Sequence, residues 1–192
     1  MILASKSPRR KEILENFGFN LEIVVPEIDE NSDKDNNVDK IMDIAYKKVL
    51  EVAKNHRDKF IIGADTIVEF NGKIIGKPKS VDDAKRILKD LSGKSHNVIT
   101  GFCIMNKSKN ILIRDYAKTE VIFRKLDDDT ISWYIGTKEP MDKAGAYGIQ
   151  GKGAVLVEKI NGDFFTVMGL PIGEIINELI KLGISLDNIY NI

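Results

Sequence analysis

With a single cysteine, Cys103, the 192-residue chain has no partner for an intrachain disulfide. Cys103 sits in the apolar run Phe102-Cys103-Ile104, which reads as a small buried hydrophobe rather than a nucleophile. Net charge is missing too, because 29 Lys and Arg are matched by 29 Asp and Glu. A protein held to a nucleic-acid backbone by its overall field is normally basic, so no nucleic-acid partner is expected. A local cluster of cations for a small phosphate ligand is not excluded. No apolar run approaches the ~20 residues that span a bilayer, so no membrane partner is expected. The opening Met1-Ile2-Leu3-Ala4-Ser5-Lys6 meets charge too early for a signal peptide. The expected compartment is therefore the reducing cytoplasm. Neither a Walker A pattern nor G-x-G-x-x-G occurs, which leaves the P-loop and dinucleotide-binding readings without support.

At this length about 70% of the unfolded surface is buried on folding, enough for a real core. The expectation is one domain over residues 1–192, with room for two lobes around a cleft. Ile2 to Ala4 reads as a short buried strand, and Ser7-Pro8 as a helix start, with a capping hydroxyl and a proline where no N–H is needed. Ile13, Leu14 and Phe17 mark the apolar face of that helix, and Gly18 its end. Leu21 to Val25 suggests a second strand and residues 26–37 a polar surface loop. Ile41, Ile44, Ala45, Val49 and Val52 then recur at helical spacing. Lys48 falls on the same stripe, where its ammonium must either snorkel to water or meet an anion.

Further along, Phe60 to Ala64 reads as a buried strand ending at Asp65-Thr66. Ile67 to Ile75 reads as a hairpin over Asn71-Gly72. Ser80 with Asp83 caps a helix carrying Ala84, Ile87, Leu88 and Leu91. Val98–Met105 and Ile111–Phe123 form a long antiparallel pair, followed by a helix near Thr130–Ile135. Residues 136–153 are Gly-rich and irregular, the kind of long loop that is often functional. A hairpin over Asn161-Gly162 and a helix from Pro171 to Leu182, stopped by Gly183, complete the reading. Strands and helices mix without strict alternation, so the class is α/β with a mixed sheet flanked by helices.

Four segments concentrate chemistry. In Ser5-Lys6-Ser7-Pro8-Arg9-Arg10 a strand turns into a helix whose first turn holds two arginines. Free N–H groups and the positive end of the helix dipole favour anions there, whereas cations are unfavourable unless an anion is bound. The others are Gly63-Ala64-Asp65-Thr66, Gly76-Lys77-Pro78, and Asp142-Lys143-Ala144-Gly145-Ala146-Tyr147-Gly148-Ile149-Gln150-Gly151. Taken singly each also has a bland reading: solvated arginines, a turn acid, a surface lysine, an ordinary glycine loop.

Together and in this order, with Ser92-Gly93-Lys94-Ser95-His96-Asn97-Val98, Thr100-Gly101, Thr119 to Arg124 and Gly169-Leu170-Pro171, they resemble the Maf family of nucleotide pyrophosphatases nearly end to end. The ending Tyr-Gly-Ile-Gln-Gly resembles the branch acting on dTTP and UTP, whereas a sibling branch acting on 7-methyl-GTP tends to have Glu in place of Gln. Val49 departs from the family's usual Ala, a matter of packing.

The resemblance implies an elongated α/β fold with a central cleft, related to the inosine-triphosphate pyrophosphatases, often as a homodimer. It implies a nucleoside triphosphate as substrate, bound by Ser5, Ser7, Arg9, Arg10, Lys48, Thr66, Lys77 and Gln150, with Thr66 and Arg9 tied to substrate choice. Asp65 matches the proposed general base. Glu30 with Asp65 matches a site for a divalent metal, Mg²⁺ or Mn²⁺. His96 is expected to be structural. A purine or damaged-nucleotide pyrophosphatase, and a non-catalytic regulator of septum formation, are the rival readings.

Overall fold

The computed structural model describes residues 1–189 and 192. Contacts divide the chain into two compact units. The first comprises Met1–Asp65, Thr100–Ala117 and Gly169–Ile192, and the second Thr66–Ile99 and Lys118–Met168. Among the described residues one seven-stranded sheet has the order β2-β1-β3-β5-β6-β7, with β4 paired to β3. Its strands are β1 (Ile2–Leu3), β2 (Glu22–Ile23), β3 (Ile61–Phe70), β4 (Lys73–Ile75), β5 (Ser95–Asn106), β6 (Ile111–Phe123) and β7 (Val157–Asn161). β1 is parallel to both β2 and β3, whereas β3–β4 and β6–β7 are antiparallel. The sheet is mixed, as the pattern of elements indicated.

In the first unit, α1 (Pro8–Asn16) starts as its sequence requires: Ser7 is the N-cap, Pro8 opens the helix, and the Ser7 hydroxyl accepts the Arg10 N–H. Helix α2 (Asn37–Val52) buries Ile41, Ala45, Lys48, Val49 and Val52. Its apolar face joins Ile2, Ala4, Ile61, Cys103 and Met105 in one core, so the helix covers strands β1, β3 and β5. Close approach explains two glycines. A Cβ on Gly101 would stand 3.0 Å from the Ile41 backbone, and one on Gly63 would stand 2.8 Å from Val49 Cγ2. The larger Val49 is thus accommodated by a bare backbone opposite it. Helix α6 (Ile172–Lys181) buries Ile172, Ile175 and Leu179 and ends near Gly183 at φ +81°.

The second unit is built on α3 (Val81–Leu91) and α4 (Asp128–Gly136). Ser80 caps α3 by accepting the Asp83 N–H, and Asp127 caps α4 by accepting the Thr130 N–H. Their apolar faces share a core with Val68, Val98, Val121, Phe123, Ala146, Tyr147 and Leu156. The Gly-rich segment is ordered into a strap of three short 3₁₀ turns, Glu139–Asp142, Ala144–Ala146 and Gly151–Leu156.

Two expectations need correction. Strand β3 does not end at Asp65 but continues to Phe70, because Val68 is buried and Val68 to Phe70 pair with β4. The hairpin over Asn161-Gly162 does not form. Gly162 takes φ +133°, and the Asp163 carboxylate accepts the Thr166 N–H and hydroxyl at 2.6 and 2.8 Å, starting helix α5 (Phe164–Met168). A side chain able to cap outcompetes the turn signal just before it.

Candidate functional site

Seven of the residues singled out from the sequence belong to the first unit: Ser5, Ser7, Arg9, Arg10, Glu30, Lys48 and Asp65. Their arrangement begins at the turn after β1. Ser5 Oγ accepts the Ser7 N–H at 3.1 Å and a guanidinium N–H of Arg10 at 3.3 Å. The Arg10 Nε–H reaches the Gly169 carbonyl at 2.8 Å, tying the first helix to the segment that leads into α6. Arg10 is buried, and desolvation pulls its pKa below the usual value, opposed first by the field of Asp65 and then, after the like charge of Arg9, by Glu30. Guanidinium stays charged regardless, so this is a permanent buried cation. Arg9 beside it is half-buried.

Lys48 is brought in from the apolar stripe of α2 and is only 7% exposed. Snorkelling to water is therefore not its solution. Its ammonium meets Asp65 Oδ1 at 2.8 Å and Glu30 Oε1 at 2.9 Å. The Asp65 side chain is 20% exposed and the Glu30 side chain 63%. The hydrogen bond from Lys48 holds the Glu30 carboxyl below its ordinary pKa, partial burial acts the other way, and the fields of Lys48, Lys6 and Arg10 add to the lowering. Two carboxylates thus converge on one ammonium, with a buried guanidinium contributing to their field.

The donors fit a divalent ion of the Mg²⁺ type. Glu30 and Asp65 already share one cationic partner, and Mg²⁺ is commonly held by one or two carboxylates plus substrate phosphates and water. Among the described residues no group of three or more His, Cys, Asp or Glu could hold a metal, so an all-protein cage is not formed there. A shallow depression lined by Asn31, Ser32, Asp33, Asp43 and Lys47 shares none of the clustered residues.

Thr66, Lys77 and Gln150 belong to the second unit. Lys77 is exposed between the exposed Gly76 and the buried Pro78, and its segment is tied to the strap where the Gly145 N–H donates to the Gly76 carbonyl at 3.1 Å. Gln150 and Thr66 are half-buried. His96 is buried, with Nε2 and the Tyr147 hydroxyl 2.7 Å apart in a hydrogen bond. Phe123 stands edge-on to both rings. That packing is structural in character, as expected for His96. Two residues that the sequence did not single out, Tyr134 and Glu139, hold the strap through its backbone amides. Contacts of that kind leave no local sequence signal beyond the glycines themselves.

Fold and cluster define an α/β protein with a buried cation–carboxylate site. A family model described as Maf-like protein matches residues 1–182, and the chain belongs to that family. It is 56% identical over 183 residues to a Fusobacterium nucleatum protein named dTTP/UTP pyrophosphatase, covering 95% of each chain. Proteins of the same name from Alkaliphilus metalliredigens and Bacillus cytotoxicus are 51% and 48% identical, covering 93% of this chain and 95% and 93% of their own. Among solved structures, the Staphylococcus aureus Ham1 protein aligns with 64% of this chain and 70% of its own at 13% identity, with a TM-score of 0.46. That likeness is too remote to bear on the site.

Proposed function

We propose that this protein hydrolyses dTTP and UTP between the α and β phosphates, releasing the nucleoside monophosphate and pyrophosphate. The observation that carries the reading is the convergence of Asp65 and Glu30 on Lys48 beside the buried Arg10. The names borne by relatives at 48–56% identity over nearly the whole chain support the substrate. In this reading Asp65 takes a proton from water, whose oxygen bonds the α-phosphorus. The bond from that phosphorus to the bridging oxygen breaks, and pyrophosphate leaves with the electron pair. General-base assistance contributes roughly 10²–10⁴ in rate. Arg9, Arg10, Lys48 and Lys77 neutralise phosphate charge, which supplies much of the rest. Ser5 and Ser7 shape the turn that faces the phosphates, and Thr66 with Arg9 contributes to substrate choice. Glu30 and Asp65 would hold Mg²⁺ or Mn²⁺, which when bound would withdraw charge from the phosphate oxygens.

Gln150 reads the base. Its amide has one donor side and one acceptor side, complementary to the N3–H and a carbonyl of uracil or thymine. Gln150→Glu should lower activity on dTTP and UTP far more than on other nucleotides, and an equal loss on all would remove the base-reading role. The enzyme is further read as a cytoplasmic homodimer, which light scattering on the purified chain would check.

The deciding experiment is pyrophosphate release from a panel of nucleoside triphosphates, with and without Mg²⁺ or Mn²⁺, alongside Asp65→Asn. Metal-dependent release from dTTP and UTP, lost by about 10²–10⁴ in the variant, is expected. A preference for purine or damaged nucleotides would move the substrate. Silence across the panel would favour the regulator of septum formation.

A further inference from the structure

The strap carries its own restraints, all within the second unit. The Tyr134 hydroxyl accepts the Gly148 N–H at 3.0 Å. The Glu139 carboxylate accepts the N–H groups of Lys152 and Gly153, each at 3.2 Å, through its two different oxygens. Gln150 lies between these anchors, two residues after Gly148 and two before Lys152. The anchors also influence each other electrostatically. Burial pushes the Tyr134 phenol up to about 12, the bond from the Gly148 amide acts against this, and the nearby Glu139 charge acts with it.

The glycines show how tightly the strap closes. A Cβ on Gly153 would stand 2.2 Å from the Gly148 carbonyl oxygen and 2.6 Å from the Tyr134 hydroxyl. One on Gly151, at φ +62°, would stand 3.1 Å from Glu139 Oε1. The backbone before and after Gln150 is therefore gathered onto a single Tyr–Glu pair, with Tyr134 itself fully buried in the core.

We propose that Tyr134 and Glu139 are positioning residues for pyrimidine selection: they fix the backbone on both sides of Gln150 and thereby the orientation of its amide. This rests on Gln150 being the base-reading residue. An amide discriminates only when its donor and acceptor edges are presented in one orientation, since a half-turn exchanges them. Glu139 is suited to the task because an ionised carboxylate bonds two amides more strongly than a neutral acceptor does. Tyr134 is suited because a phenol locked in the core has few orientations left.

The test compares Tyr134→Phe, Glu139→Gln, Gln150→Ala and the double variant Tyr134→Phe/Gln150→Ala, with kcat and KM measured separately for UTP and ATP. Each single anchor variant is expected to lower the UTP-to-ATP ratio of kcat/KM by about 10-fold, mainly through KM for UTP. Adding Tyr134→Phe to Gln150→Ala is expected to change the ratio no further, because the anchor has nothing left to orient. A merely structural anchor would lower activity on both nucleotides and act independently of Gln150. If Gln150→Ala abolishes the preference while both anchor variants keep it within twofold, the positioning role is overturned and base reading survives. If Gln150→Ala itself leaves the ratio unchanged, base reading fails and the positioning role falls with it. Should Tyr134→Phe not fold, Glu139→Gln and its double variant with Gln150→Ala decide the same points.

Discussion

Lys48 Nζ and Asp65 Oδ1 are 2.8 Å apart, joining the apolar stripe of a helix to the middle of a strand through one ion pair. The same ammonium holds Glu30. Lys48→Met keeps the apolar stem and deletes the ammonium that the two carboxylates share, leaving them to share the field of Arg10. Glu30 is largely exposed and screened, so the cost falls mainly at Asp65, at about 1–3 kcal/mol. The sign with pH follows from Glu30: its lowered folded pKa gives stability that is present above the unfolded value and lost as pH falls through the folded one. The Glu30 share of the variant's deficit should therefore be largest near neutrality and shrink in acid. Urea titrations at pH 7 and pH 4 measure this, and a deficit that grows in acid would reject the pairing as drawn.

His96 provides a separate pH signature. Burial lowers its pKa to about 4 from an ordinary 6.5, and Nδ1 has no hydrogen-bond partner among the described residues. The unfolded chain takes up the proton first, so stability falls between pH 6.5 and about 4, by about 3 kcal/mol in total. Carboxylates add their own acid dependence below this range. His96→Phe should remove the histidine part of the slope while losing the hydrogen bond to Tyr147 at all pH values. Equal slopes for the two proteins between pH 6.5 and 5 would show that His96 protonates freely in the fold.

How far these features were legible depends on whether the determining contact is local. Ser7 before Pro8, Ser80 before Asp83 and Asn71-Gly72 act within one turn, and all three form as their residue types require. Lys48 on an apolar stripe announced that an anion was needed, but not which one. Its partners lie 18 residues before it, in a segment without regular structure, and 17 after it. The continuation of β3 past Asp65 depends on pairing with β4, and Asp163 overrides the Asn161-Gly162 signal through a cap that sequence alone leaves undecided. Tyr134 and Glu139 were invisible because each binds backbone amides, which every residue but proline offers.

Cys103 serves as a reporter of the first unit. It is fully buried, and burial pushes its thiol up to about 12, so almost no thiolate exists at neutral pH. Labelling by an aromatic disulfide reagent should require opening of the core. With Asp65→Asn, which should bind without turning over, UTP with metal at 100 times its Kd should slow labelling about 100-fold if the opened form does not bind. Unchanged labelling at saturating nucleotide would mean that the ligand does not stabilise this unit.

Arg10 distinguishes a structural cation from a ligand-binding one. Its Nε–H holds the Gly169 carbonyl at 2.8 Å while another guanidinium N–H holds Ser5 Oγ at 3.3 Å, a forked reach that a single ammonium cannot reproduce. Arg10→Lys keeps the charge and gives up one of the two contacts, leaving a buried acceptor poorly satisfied at a cost of about 1–3 kcal/mol. Chemical denaturation reads that cost, and titration with UTP reads affinity in parallel. If Arg10 chiefly braces the turn, stability falls and affinity follows only as far as Ser5 and Ser7 shift. A variant as stable as the parent but unable to bind nucleotide would instead assign Arg10 wholly to phosphate. In that case the contact with Gly169 would contribute little to holding the first helix in place.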